Sequence, residues 1–148
     1  MKRVLFVCIG NACRSQMAEG FARTYGADVM IAASAGLGPA SNVARDTKAA
    51  MAEKGIDLRD HYPKAIRNLG RAQFDLVVNM SGSEILPEEV PGAEIVEWDV
   101  PDPVYMRYED HCKIRDEIER LVMLLILDLR QPAKEPPLRG QGSGQLGL

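Results

Sequence analysis

Long apolar runs are missing from this chain. The longest, Leu121 to Leu127, has seven residues, where a membrane helix needs ~20. A second run, Val4 to Ile9, follows Lys2 and Arg3 and imitates a signal peptide. Its six apolar residues fall short of the ~7–15 of a secretory core, and it stops at Gly10-Asn11. Cysteine is scarce: three residues, odd in number and too few for a disulfide framework. A reducing, cytoplasmic setting is the expectation. Cys112 beside His111 has no further ligands in the pattern of a zinc site, so no metal is expected. Charge of one sign is lacking too. Eighteen basic residues meet 21 acidic ones, for a net charge of −3, which offers nucleic acid no basic face. Aromatics make up 5%. The single tryptophan, Trp98, lacks basic surroundings and reads as a packing residue, not a base-stacking platform. No repeat with a period of 20–50 residues is visible.

What is present is ordinary globular material: 148 residues, 46% apolar and 26% charged, enough for one domain with a real core. Val4 to Cys8 is a continuous β-branched run, the pattern of a strand buried on both faces. Met17, Ala18, Phe21, Ala22 and Tyr25 then fall on one helical stripe from Ser15 to Tyr25. Val29 to Ala35 reads as a second strand, ended by Gly36 and Gly38. Val43, Thr47, Ala50 and Met51 mark a second helix, with Gly55 as its stop. Phe74 to Met80 and Ile95 to Val100 are further strands, and Asp110 to Arg130 is the longest helix. The alternation predicts a single α/β domain over residues 1–130: a four-stranded parallel sheet flanked by helices, a Rossmann-like three-layer arrangement. Residues 131–148, rich in Pro and Gly, are expected to form a disordered tail. The apolar stripe at Leu121–Leu127 is assigned to the core; a monomer or weak homodimer follows.

In such folds ligands bind beyond the carboxyl ends of the strands. The segment Cys8-Ile9-Gly10-Asn11-Ala12-Cys13-Arg14-Ser15 leaves the first strand there and enters a helix. A loop curled at a helix start gathers unpaired backbone N–H groups, which together with the helix dipole bind an oxyanion. Gly10 and Asn11 are residue types that tolerate left-handed backbone angles. Arg14 adds a permanent charge in a planar fork able to hold two oxygens of a phosphate. Cys8 sits at the base of this cup, where N–H donors and the arginine favour the nucleophilic thiolate. Ser15 can donate to that sulfur and is also a natural helix N-cap. The phosphate-binding set is therefore Ile9, Gly10, Asn11, Ala12, Cys13, Arg14 and Ser15.

The run Val-Cys-Ile-Gly-Asn-Ala-Cys-Arg-Ser-Gln-Met-Ala-Glu-Gly-Phe at residues 7–21 resembles the low-molecular-weight protein tyrosine phosphatase superfamily, which includes arsenate reductases of the same fold. The likeness continues through Ser34-Ala35-Gly36, Gly55-Ile56-Asp57 with His61, the strand Phe74-Asp75-Leu76-Val77-Val78, then Trp98 and Asp102-Pro103. It covers about residues 3–130. The resemblance implies a cysteinyl-phosphate mechanism with Cys8 as nucleophile, Arg14 as oxyanion ligand and Asp102 as general acid, without cofactor. Prolines on either side of Asp102 would restrict its backbone and aim the carboxylate; Asp99 is its nearest rival. Asn11, Ser15, Ser34 and His61 are implied to hold the loop by hydrogen bonds. Cys13 is implied to pair reversibly with Cys8 as protection against oxidation.

The residues rank hydrolysis of a phosphate monoester first, with a phosphotyrosine protein or a small phosphomonoester as substrate. The family's usual pair of aromatics after Asp-Pro is replaced by Val104-Tyr105, which leaves Tyr105 as the one candidate wall for a phenyl ring. The alternative is arsenate reduction coupled to a low-molecular-weight thiol. The spelling Cys-Arg-Ser-Gln-Met-Ala-Glu-Gly-Phe leans toward that branch. Thioredoxin-linked reductases keep two extra cysteines just after the third strand, where this chain has Met80-Ser81-Gly82-Ser83. A resolving thiol must then come from outside or from Cys13. A remoter alternative is a non-catalytic phosphate-binding or phosphocysteine carrier module, which has no need of Arg14 and Asp102.

Overall fold

The computed structural model describes residues 1–132. Seven main elements follow the expected alternation: β1 (Lys2–Cys8), α1 (Arg14–Tyr25), β2 (Met30–Gly36), α2 (Arg45–Ala52), β3 (Leu76–Asn79), β4 (Glu94–Glu97) and α3 (Tyr108–Arg130). Short 3-10 turns at Ile66–Leu69 and Pro87–Glu89 lie in the connections. The strands form one parallel sheet in the order β2-β1-β3-β4. The chain runs outward from β1 to β2 and then crosses back to β3, so strand order reverses at β1. That places a binding crevice at β1's carboxyl end.

The buried run of β1 is divided by the two-residue period of a strand. Val4, Phe6 and Cys8 enter one cluster with Met17 and Phe21 of α1, Met51 of α2, and Ile118, Val122 and Ile126 of α3. Phe6 also meets Trp98 at a tilt of 50°, with ring centroids 6.0 Å apart. Trp98 is thus the packing residue its sequence context suggests. Leu5 and Val7 face the other side, against Val77, Ile85 and Val90. Each fully buried Phe or Leu is worth roughly 1.5–3 kcal/mol of transfer free energy.

All three α-helices therefore feed one face. The third layer consists of 3-10 turns and loops carrying Ile66, Leu69 and Phe74. Gly70 and Pro91 in those segments prevent longer helices from forming there. A groove lined by Ala65, Ile66, Leu69, Phe74 and Val90 remains under this thin cover.

Strand ends differ from the sequence reading. β3 and β4 are four residues each, paired with each other along their full length. Single bonds from Met80 N–H to Val7 and from Trp98 N–H to Asn79 carry the extended backbone one residue further. Gly55, at φ +75, ends the α2 region by letting Ile56 N–H return to the Met51 carbonyl, 3.0 Å. The stripe at Leu121–Leu127 is mixed: Val122 and Ile126 are buried while Leu124 and Leu127 are half exposed. No helix among the described residues is long and apolar enough to cross a membrane. Most of the expected tail, from residue 133 on, lies outside the described residues.

Candidate active site

The loop from Cys8 to Arg14 is shaped by its carbonyls. Those of Cys8, Ile9, Gly10 and Ala12 accept from the N–H groups of Leu37, Gly38, Ala40 and Ala44, at 2.9–3.1 Å. In a planar trans peptide the C=O and the next N–H point in opposite directions. Carbonyls drawn outward to the 37–44 segment thus turn the N–H groups of Ile9, Gly10, Asn11 and Cys13 to the inner side. Four N–H groups so turned make a concavity of the kind that can hold an anion.

Close approach explains Gly36. A Cβ there would lie 2.7 Å from the Ile9 carbonyl oxygen and 2.8 Å from the Asn11 nitrogen. Only glycine lets β2 run alongside the loop. The left-handed residue is Asn11, at φ 51. Gly10 stays out of that region, a correction to the pair expected from sequence.

Asn11 is fully buried, and both ends of its amide are used. Nδ2 donates to Ser15 Oγ at 2.7 Å. Oδ1 accepts from Gln16 Nε2 at 3.1 Å and from Lys64 N–H at 3.0 Å. Ser15 is not the helix N-cap. Cys13 occupies that position, and Ser15, already inside the first turn, contacts Cys8 Sγ at 2.9 Å. His61 reaches the loop at one remove: its Nδ1 meets Gln16 Oε1 at 2.9 Å. Burial lowers the pKa of His61 below its ordinary value. Ser34 does not touch the loop. Its hydroxyl donates to Glu19 Oε1 at 2.5 Å and ties β2 to α1. Gln16, Lys64 and Glu19 were not found by sequence reasoning. A glutamine and a glutamate among the small and apolar residues of α1 were the only signal available for two of them.

Cys8 is 2% exposed. Arg14 approaches from the far wall. Its Nη1 donates to the carbonyls of Met80 and Val100, the latter at 2.9 Å, which fixes the guanidinium between the ends of β3 and β4. Nη2 lies 3.5 Å from Asp102 Oδ2. Nε is buried and has no protein partner among the described residues. Such an unsatisfied donor costs ~1–3 kcal/mol. The Nε–Nη2 edge is the side of the fork that can receive two oxygens of one anion. Asp102, with its side chain 44% exposed, stands at that edge and accepts from Val104 N–H at 3.1 Å.

A family model for low molecular weight phosphotyrosine protein phosphatase matches residues 3–135. The chain belongs to this family. Several of its relatives within that family are named arsenate reductases. The glutaredoxin arsenate reductase of Synechocystis sp. is 39% identical over 85% of this chain and 97% of its own length. Arsenate reductase 1 of Bacillus cereus is 34% identical over 79% of this chain and 88% of its own. Among solved structures, an arsenate reductase in the phosphate-binding state superposes with a TM-score of 0.78 at 36% identity, covering 87% of this chain and 99% of that one. A low-molecular-weight protein tyrosine phosphatase from T. tengcongensis gives 0.73 at 32%, covering 86% and 99%. Family membership makes the α/β fold and the oxyanion-binding class firm; it does not by itself choose between the two chemistries.

The mouth carries little of its own. Val104 is half exposed and Tyr105 is 97% exposed, so neither walls a cavity. Cys13 is buried, and that burial pushes its thiol up to about 11; the Thr47 hydroxyl opposes the rise and Cys8 adds to it. All three cysteines are free.

Proposed function

We propose that this chain reduces arsenate to arsenite, with a low-molecular-weight thiol as the ultimate electron source and a glutaredoxin-type protein as its partner. The arginine carries the reading: Arg14, at the end of the loop that begins at Cys8, presents a buried, unpartnered Nε next to an Nη2 held only by the longer 3.5 Å contact with Asp102, an edge suited to a small tetrahedral oxyanion. The relatives named as arsenate reductases support this choice over hydrolysis, and so does the unwalled mouth, which has nothing to grip a phenyl ring. The residues alone rank phosphomonoester hydrolysis first; the relatives invert that order.

Cys8 is the proposed nucleophile. Its thiolate attacks arsenic while the loop N–H groups and Arg14 hold the equatorial oxygens. Asp102 protonates the departing oxygen. The arsenic(V)–Cys8 adduct then needs a second sulfur to release arsenite, and after β3 the chain offers Ser81 and Ser83, not cysteines. Reducing equivalents therefore come from outside.

Phosphatase activity is the second reading, favoured by Asp102 at the arginine edge, where it can protonate an ester oxygen and then activate water. A paired assay separates the two. Purified protein receives either arsenate with glutathione and glutaredoxin, or para-nitrophenyl phosphate. Thiol-dependent arsenite that vanishes in Cys8→Ser is expected. Phosphate release with no arsenite under any thiol would overturn the reductase reading.

A further inference from the structure

Arg14 is held by two carbonyls, and different devices fix them. Nη1 donates to Met80, just past β3, and to Val100, past β4. Val100 precedes Pro101, whose ring restricts the residue before it to extended angles. Met80 has no such neighbour. It is followed by Ser81 and by Gly82 at φ +77, where the β3 ladder has already ended.

The side chain of Asn79, 2% exposed, holds this turn. Its amide can be oriented from its partners. The Ser81 N–H only donates and lies 2.9 Å from Oδ1. The Ser83 carbonyl only accepts and lies 2.7 Å from Nδ2. The Ser81 hydroxyl adds a contact to Oδ1 at 2.6 Å. Ser81 N–H and Met80 C=O belong to one peptide, and in a planar trans peptide they point in opposite directions. The bond from Ser81 N–H back to Asn79 Oδ1 therefore turns the Met80 carbonyl the other way, toward Arg14. On the preceding peptide, Met80 N–H is tied to the Val7 carbonyl at 2.8 Å. Both peptides that flank Met80 are thus fixed, one by the sheet and one by Asn79.

We propose that Asn79 is a positioning residue for oxyanion capture. By clamping the Met80–Ser81 peptide it aims a carbonyl at Nη1 and so keeps the Nε–Nη2 edge of Arg14 facing the anion. The proposal rests on the reading of Arg14 as the oxyanion ligand, and it is the same for arsenate and for a phosphate ester. Without the clamp, that peptide rotates and Nη1 loses one of its two acceptors. The planar guanidinium is then free to turn about the remaining Val100 contact and carries the whole edge with it. A misplacement of about 1 Å in a group that holds substrate can cost on the order of 100-fold in rate. The side-chain bonds of Asn79 go to Ser81 and Ser83, so its effect passes through the peptide and not through a contact of its own with the anion.

The test compares two replacements of the same shape. Asn79→Thr keeps an oxygen able to accept from the N–H two residues on, as hydroxyls do in turns of this kind. Asn79→Val lacks it and suits a strand end. Each protein is titrated with inorganic phosphate by calorimetry. Asn79→Val should bind at least about tenfold more weakly than wild type, as expected for loss of one hydrogen bond to a charged group. Asn79→Thr should stay within about threefold of wild type, its hydroxyl making the weaker form of the same turn. The Arg14 Nε–H proton resonance should stay sharp and shift with phosphate in wild type and Asn79→Thr, and broaden in Asn79→Val. Wild-type affinity in Asn79→Val, or a sharp Nε–H signal there, would overturn the proposal. Equal losses in both variants would overturn it too, because a general packing fault does not distinguish a hydroxyl from a methyl. If Asn79→Val does not fold, the smaller pair Asn79→Ala and Asn79→Ser asks the same question. Arg14→Lys separates the proposal from the reading beneath it. Phosphate held as tightly by Arg14→Lys as by wild type would overturn both. Weaker binding in Arg14→Lys with unchanged binding in Asn79→Val would overturn the role of Asn79 alone.

Discussion

The back of the oxyanion loop and its mouth are built by different rules. Behind the loop the polar groups are shared, with Asn11, Ser15 and Gln16 buried: Asn11 with Ser15, Gln16 and Lys64, Gln16 with His61, and Gly36 close against the Ile9 carbonyl. In front stand a half-exposed Asp102 and an almost fully exposed Tyr105. The back fixes the shape of a cup for any tetrahedral oxyanion. The mouth decides what may be attached to it, and here it imposes little. Phosphate and arsenate are both tetrahedral oxyanions, so on the proposed reading one family can host both a reductase and a phosphatase while the loop stays the same.

The largest break in this comparison comes from the nucleophile. Cys8→Ser is expected to lower turnover of either substrate on the order of 10^4-fold or more, because the hydroxyl is a far weaker nucleophile at neutral pH. Oxyanion binding should survive, since the N–H groups and Arg14 remain. Titration calorimetry with phosphate checks the second half. Loss of binding together with turnover would mean that Cys8 shapes the cup.

Gly36→Ala attacks the back without touching a reacting atom. Its Cβ would sit 2.7 Å from the Ile9 oxygen, so the loop or β2 must shift, at a cost of roughly 1–3 kcal/mol in stability. Phosphate affinity should fall at least about tenfold, ~1.4 kcal/mol. Wild-type affinity in a folded Gly36→Ala protein would show that the loop tolerates displacement.

Acid should strain the same region. Burial holds both His61 and His111 below the ordinary value of 6.5. The unfolded chain therefore binds more protons than the folded one as pH falls through 6.5. The stability of the neutral histidines is complete above that value and declines below it, toward their folded pKa values. The urea midpoint should drop between pH 7.5 and 5.5, and drop less in His61→Gln. Equal drops in both proteins would exclude His61 as a source.

The back wall also sets the limit of what the sequence revealed. The strands, the three helices and the loop were legible because periodicity and residue type are local properties: β-branched runs, an apolar stripe every three to four residues, a thiol six residues before an arginine at a helix start. Contacts made by tertiary packing were not. Nothing local tells that Ser34 bonds Glu19 and not the loop, or that Ser15 lies two residues too deep to cap its helix. Gly36 reads as a strand terminator until its distance to Ile9 is known. Thr47 looks like a polar interruption of an apolar stripe, and its partner His111 lies on α3, far along the chain. The thin third layer was hidden for a related reason: an apolar residue such as Leu69 or Val90 signals burial but not whether a helix or a single turn carries it.

The smallest expected effect is at the mouth, and it sharpens the comparison most. Tyr105 is 97% exposed, so Tyr105→Ala should change KM for para-nitrophenyl phosphate and for arsenate by less than about twofold, as surface substitutions away from packing or charge pairs generally do. A larger change would mean that the tyrosine folds over the bound anion. The reverse substitution is more informative. Val104 is half exposed beside Asp102, so Val104→Tyr would restore an aromatic pair at the rim. Stacking against a substrate ring is worth ~0.5–1.5 kcal/mol, a fewfold fall in KM for an aryl phosphate, while arsenate has no ring to stack. A fall confined to the aryl ester would locate substrate selection in the two residues after Asp102-Pro103 and leave the cup itself indifferent to what it holds.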